Sequence, residues 1–187
     1  MLRKTRWRAR YFLCTAVLLL TGCDTQPVSI DHEQISKARA SHPASTKKKL
    51  PCKIEWQGLT DKRTTEGPIG YLALHAIQFP ELVDELDRQF HDTTAGAVIT
   101  KKSAPTLRVS AELLRAYAEQ RANLAVLNMW FRIQFADNSR EPVILSSAAV
   151  KTVMTGSRQE MQDIMRWGTG ESVDQLLTQL GKMCADH

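Results

Sequence analysis

The chain has 187 residues, with 25 Lys and Arg against 20 Asp and Glu, for a formal net charge of +5. The excess lies in the first ten residues, MLRKTRWRAR, which hold five basic side chains and no acid; from residue 23 onward the two signs balance at 20 each. The overall charge therefore excludes any argument for an acidic substrate, and no nucleic-acid partner is expected.

The basic start is followed by YFLCTAVLLL, an uncharged and largely apolar run. It is about half of the roughly 20 apolar residues that a membrane-spanning helix needs. A basic segment before a short apolar core is the pattern of a secretory signal. Leu20-Thr21-Gly22-Cys23 then has the form of a lipobox, in which small residues enter a signal peptidase and the cysteine thiol carries a diacylglyceryl group. The expectation is that residues 1–22 are a cleaved signal peptide and that Cys23 is the lipid attachment site, with membrane lipid as the partner of that anchor.

Residues 24–50, DTQPVSIDHEQISKARASHPASTKKKL, are polar, contain two prolines and show no sustained apolar period. Residues 23–50 thus read as lipid anchor and flexible linker. As a coil the linker would span roughly 30 Å, enough to lift a domain clear of the headgroups. Lys47, Lys48 and Lys49 read as a solvated charge run. Residues 51–187 are enough for one core and too few for two, so they form a single periplasmic domain.

Within that domain, Lys53-Ile54-Glu55-Trp56 alternates as a first strand, which Gly58 breaks, and residues 59–70 form a polar loop with a Gly67-Pro68 turn signal. Pro80-Glu81 opens a helix over 80–91, with Leu82, Val83, Leu86 and Phe90 on one face. Residues 106–121 carry conflicting signals. Leu107, Val109, Ala111 and Leu113 alternate as in a strand, whereas SAELLRAYAEQRA has helical composition with Ser110 as a possible cap. Residues 124–135 alternate more cleanly, and 141–150 form another extended stretch. Ser157 and Glu160 have the spacing of a capping box; Gly168 and Gly170 interrupt the helix that follows, and residues 171–183 form the last one.

Four cysteines reduce to one candidate pair. Cys14 leaves with the signal and Cys23 is consumed by lipid, so Cys52 and Cys184 remain, either disulfide-bonded in an oxidising envelope or as two buried thiols. No HExxH, Gly-x-Ser-x-Gly or phosphate-loop lysine motif is present. His75 and His91 have no second ligand at helical spacing, so neither a metal site nor a catalytic residue nor a cofactor is expected. Trp56, Trp130 and Trp167 read as core or groove residues and form a possible binding surface.

Trp56–Gly70 (WQGLTDKRTTEGPIG), Pro80–Phe90, Leu107–Phe135 and Leu176–Leu180 together resemble the YajG-like and ABC-transport auxiliary lipoproteins of Gram-negative envelopes. The resemblance covers about 130 residues at the level of pattern, and departs from that group in the cysteine pair and the helix-like stretch 110–121. It implies an α+β fold, an antiparallel sheet with helices packed on one face, and it favours a strand at 106–118. It also implies a non-enzymatic accessory or binding subunit of an envelope transport or membrane-maintenance complex, with an envelope protein as partner. The competing expectation is an envelope hydrolase or a small-ligand-binding enzyme with an unrecognised site. Asp24 directly after the lipidated cysteine is, in enteric lipoproteins resembling this one, a signal for retention at the inner membrane, which is favoured slightly over the outer membrane.

Overall fold

The computed structural model describes residues 27–30, 48–64, 67–100, 105–137 and 140–185. Cys23 and the signal segment lie outside the described residues. In chain order the strands are β1 (Val28–Ser29), β2 (Lys49–Leu50), β3 (Lys53–Asp61), β4 (Gly70–Leu72), β5 (His75–Gln78), β6 (Val98–Ile99), β7 (Thr106–Arg121), β8 (Leu124–Phe135) and β9 (Val143–Thr152). The helices are α1 (Leu82–Ala95) and α2 (Arg158–Ala185).

The fold is α+β, as the resemblance implies. The described residues form a seven-stranded sheet, a small β2–β6 sheet and two helices. The large sheet is not antiparallel throughout. β7, β8 and β9 form an antiparallel meander, but β3 pairs parallel to the first half of β7, β4 touches its second half in parallel, and β1 runs parallel to β5. The reason is connectivity: α1 lies between β3 and β7 in the chain and carries it back, so β7 enters beside β3 in the same direction.

At 106–121 the strand wins over helical composition. Val109 stands opposite Phe135 and Ala118 opposite Leu127, with a shift of register between Leu113 and Arg115. That bulge inserts one extra residue and reverses the parity of alternation. Leu107, Val109, Ala111 and Leu113 are buried before it, Ala116 and Ala118 after it. The same device operates in β3, where Gly58 marks a bulge instead of ending the strand.

Both helices pack on the face that carries these buried residues. α1 contributes Leu82, Leu86 and Phe90, and α2 contributes Met161, Ile164, Met165, Val173, Leu176, Leu177 and Leu180. Gly168 and Gly170 do not interrupt α2, which is continuous over 28 residues. A β-carbon at Gly168 would lie 2.9 Å from Leu127 Cδ2 and 3.7 Å from Ala149 Cβ, so this glycine serves the close approach of helix to sheet. Between the helices the buried Glu85 is paired with Arg88 at 2.5 Å and accepts from Gln89, whose amide also reaches Thr169 at 3.4 Å. Gly70 is required sterically: its φ is 151° and a β-carbon would lie 1.8 Å from the Ala118 carbonyl oxygen.

Two parts of the segment read as linker belong to the fold. Val28 and Ile30 are fully buried, Val28 opposite Ile77, and Lys49–Leu50 pairs with Val98–Ile99. Alternation of two apolar residues in a polar stretch is too short a signal to register as a strand. Cys52 and Cys184 form a disulfide with Cα atoms 6.0 Å apart, closing a sequence separation of 132.

Candidate interaction surface

The meander has a second face, on the side away from the helices. The residues that alternate with the buried set point there: Arg115, Tyr117 and Glu119 on β7, Val126 and Trp130 on β8, Ile144 and Val150 on β9. The register aligns Arg115, Trp130 and Ser146 in one cross-strand row, and Arg132 and Ile144 in the next. Tyr117 and Trp130 lie near-parallel, with centroids 6.1 Å apart and planes within 7°. The Arg115 guanidinium stands 5.2 Å from the tyrosine ring and 5.5 Å from the tryptophan ring. Such cation–π contacts contribute about 0.5–1 kcal/mol each at exposed sites. Ile144 beside them is 63% exposed.

The face also carries ion pairs. Arg108 donates to Glu55 at 2.8 Å, Arg132 to Glu112 at 2.8 Å, and Arg121 pairs with Glu119 at 2.5 Å. The bond from Lys53, and then that from Arg108, hold the Glu55 carboxyl below its ordinary value. Arg115 differs from these neighbours in having rings as partners in place of a carboxylate. An arginine and two aromatics held in a fixed arrangement, with an exposed aliphatic side chain alongside, have the composition of an interaction hot spot.

The adjoining edge is less open than the face. Among the described residues β9 is the last strand on its side of the sheet, but α2 reaches over to it. Gln175 accepts from Ala148 N–H at 3.0 Å and donates to its carbonyl at 3.1 Å, while Gln179 donates to the Ser146 carbonyl at 2.9 Å. These side chains occupy the edge groups that an added strand would need.

The three tryptophans do not converge. Trp56 belongs to the helix-side packing: it stacks on Phe90 at 4.2 Å and donates from Nε1 to Asp87 Oδ1 at 2.7 Å. Trp130 is on the open face. Trp167 is an exposed residue of α2, with the Lys151 ammonium of β9 5.5 Å from its ring. Arg115 and Tyr117, which complete the Trp130 cluster, carry no signal of their own in the sequence. They follow the bulge in β7, where the parity that assigns residues to faces has changed. His75 is half-buried on β5 and His91 exposed on α1, on separate elements. Among the described residues no group of three His, Cys, Asp or Glu side chains could hold a metal ion.

The sequence matches no protein-family model and no curated protein. Solved structures with a similar trace include a minor lipoprotein from Acinetobacter baumannii, with 15% identity and a TM-score of 0.39 over 71% of this chain and 93% of that one. A protein from Xanthomonas campestris aligns at 11% identity and a TM-score of 0.44, over 86% of this chain and 94% of its own. Uncharacterized lipoprotein B from Nitrosomonas europaea aligns at 13% identity and a TM-score of 0.40, over 77% and 92%.

Proposed function

We propose that this chain is a cell-envelope lipoprotein, anchored through lipid on Cys23 and facing the periplasm, that acts without catalysis as an accessory or binding subunit. The partner is an envelope protein of a transport or membrane-maintenance complex, the role that the sequence resemblance implies. The observation that carries the reading is the Arg115–Tyr117–Trp130 cluster on an open sheet face, next to exposed Ile144. A site of this composition anchors a protein partner by burial of rings and an arginine.

The test is photo-crosslinking in native membranes. A photoreactive residue replaces Ile144 in the full-length lipidated protein, with and without Trp130→Ala. The expected outcome is one dominant crosslinked envelope protein. Truncation of a hot-spot aromatic costs about 2 kcal/mol or more, so affinity falls roughly 30-fold. Crosslinking that is diffuse, or unchanged by Trp130→Ala, defeats the docking role of this face.

A further inference from the structure

One end of the sheet gathers apolar side chains that the core does not use. Leu74 is 80% exposed, Met154 82% and Tyr71 64%. They come from separate segments that the fold ties into one tip. The Ala73 N–H donates to Gln120 Oε1 at 2.6 Å, and Gln120 Nε2 donates to the Ala122 carbonyl at 2.8 Å, linking the β4–β5 turn to the β7–β8 turn. Val153 N–H donates to the Asn123 carbonyl at 2.7 Å, which brings in the end of β9. The circle closes at Gly156, where a β-carbon would lie 3.0 Å from that of Ala73.

Leu74 is a poor choice for folding at its position. Ala73 and Leu74 form the two-residue loop of the β4–β5 hairpin, with φ of 47° and 68°. A hairpin loop with both φ values positive favours Asn and Gly, and a left-handed conformation costs other residues roughly 1–2 kcal/mol. A large apolar side chain is thus held at a strained position and turned into solvent, where neither packing nor backbone preference accounts for it.

The chain itself indicates what covers this tip. β1 runs parallel to β5, with Val28 beside Ile77, so Pro27 lies at the end of β1 that faces the start of β5 and the Ala73–Leu74 turn. The Pro27 carbonyl accepts from Arg158, the first residue of α2, at 3.2 Å, next to the loop that carries Met154. Cys23 is four residues before Pro27. At no more than about 3.6 Å per residue, that leaves a tether of roughly 14 Å at most. The headgroup layer of each leaflet is itself about 5–8 Å thick. The anchor thus leaves at most roughly 6–9 Å between Pro27 and the outer edge of the headgroups, in contrast to the roughly 30 Å spacing that a full-length linker would give.

We infer that the Tyr71–Leu74–Met154 tip rests in the interfacial layer of the bilayer that holds the Cys23 lipid, so that the domain sits directly on the membrane in a fixed orientation. The inference depends on the lipid anchor proposed above. Arg121 and Arg158, at the same end, face the headgroups; Arg121 is shared with Glu119. The sheet then stands up from the membrane, and the Cys52–Cys184 disulfide lies at its far end.

The test uses full-length lipidated protein in vesicles of phosphatidylethanolamine and phosphatidylglycerol, with a nitroxide introduced through Leu74→Cys, Met154→Cys or, at the far end of β7, Thr106→Cys. Labels at 74 and 154 are expected to be several-fold less accessible to an aqueous nickel chelate than the label at 106, and more accessible to oxygen. Leu74→Asn, which suits the left-handed turn, is expected to raise the melting temperature of the protein while increasing nickel access at 154. If the protein floats with the vesicles and all three labels are equally open to nickel, the anchor holds and the inference fails. If the protein does not float, the Cys23 anchor fails and the inference with it.

Discussion

Glu160 illustrates what a single side chain contributes at the N-terminal end of α2. Its carboxylate accepts the N–H groups of Met154, Thr155 and Gly156 at 2.6, 2.8 and 2.7 Å, and the Thr155 hydroxyl at 2.9 Å. Ser157 Oγ in turn accepts Glu160 N–H at 3.2 Å, the cap that the spacing of these two residues predicts. The reciprocal half of that motif is redirected, because the carboxylate serves the loop upstream and not Ser157 itself. Led by the bonds from Met154 and Thr155, these donors lower its pKa to about 2 from an ordinary 4.5. The folded pKa is depressed, so the contribution is fully present above pH 4.5 and is lost as pH falls toward 2. A carboxyl-carbon NMR titration should place the Glu160 midpoint near 2, with the Met154 and Gly156 amide shifts moving in step. A midpoint near 4.5 would show that the loop is not held this way. Glu160→Gln should leave those amides insensitive to pH over the same range.

At the scale of elements, α1, β8, β9 and the last turns of α2 are legible in the sequence because one periodicity runs through each. The misreadings occur where a local exception interrupts the period. The bulge at Leu113–Arg115 makes the second half of β7 look helical, since its buried residues no longer fall on the alternation of the first half. The glycines of α2 look like breaks because propensity registers only the loss of a side chain, and not the space on the sheet side. The two positions give opposite predictions. A β-carbon at Gly170 would meet Gln89 Oε1 at 3.8 Å, an ordinary contact, so Gly170→Ala should stabilise by about 1 kcal/mol through helix propensity, raising the melting temperature by about 2–4 °C. Gly168→Ala gains the same propensity but must displace Leu127 from 2.9 Å, and overpacking costs about 1–3 kcal/mol. Its melting temperature should not rise and is expected to fall. Equal gains at the two sites would mean that helix and sheet are not packed closely at Gly168. The Arg115–Tyr117–Trp130 cluster is less legible than the helices for a related reason. Trp130 stands out by type, whereas Arg115 and Tyr117 join it only once strand register and the bulge assign them to the open face.

For the whole molecule, the decisive constraint is where the two ends of the domain are tied. Cys52 precedes β3 and Cys184 lies in the last turn of α2, so the disulfide fastens the helix to the sheet at the end opposite the Leu74–Met154 tip. The pairing was readable from the sequence by elimination and compartment, but its mechanical role was not, because that depends on α2 running the length of the sheet without a break. Helix and sheet are held at one end by this covalent bond, and at the other by the Glu160 loop and the Arg158–Pro27 contact. In the chain-entropy account a loop of this length restricts the unfolded chain by about 5 kcal/mol, an upper figure because residual structure reduces it. With about 2–4 °C per kcal/mol for a chain of this size, reduction should lower the melting temperature by up to roughly 10–20 °C. Cys52→Ala and Cys184→Ala should each produce most of that loss, and the double variant little beyond either, because both remove the same bond. Cys52 and Cys184 are buried, so reductant should act slowly on the native protein and quickly in mild denaturant. Single variants that melt at the wild-type temperature would show that the bridge contributes nothing to stability. The predicted loss belongs to the disulfide end: nitroxide protection at residue 154 on vesicles should survive in Cys184→Ala below its lowered melting temperature.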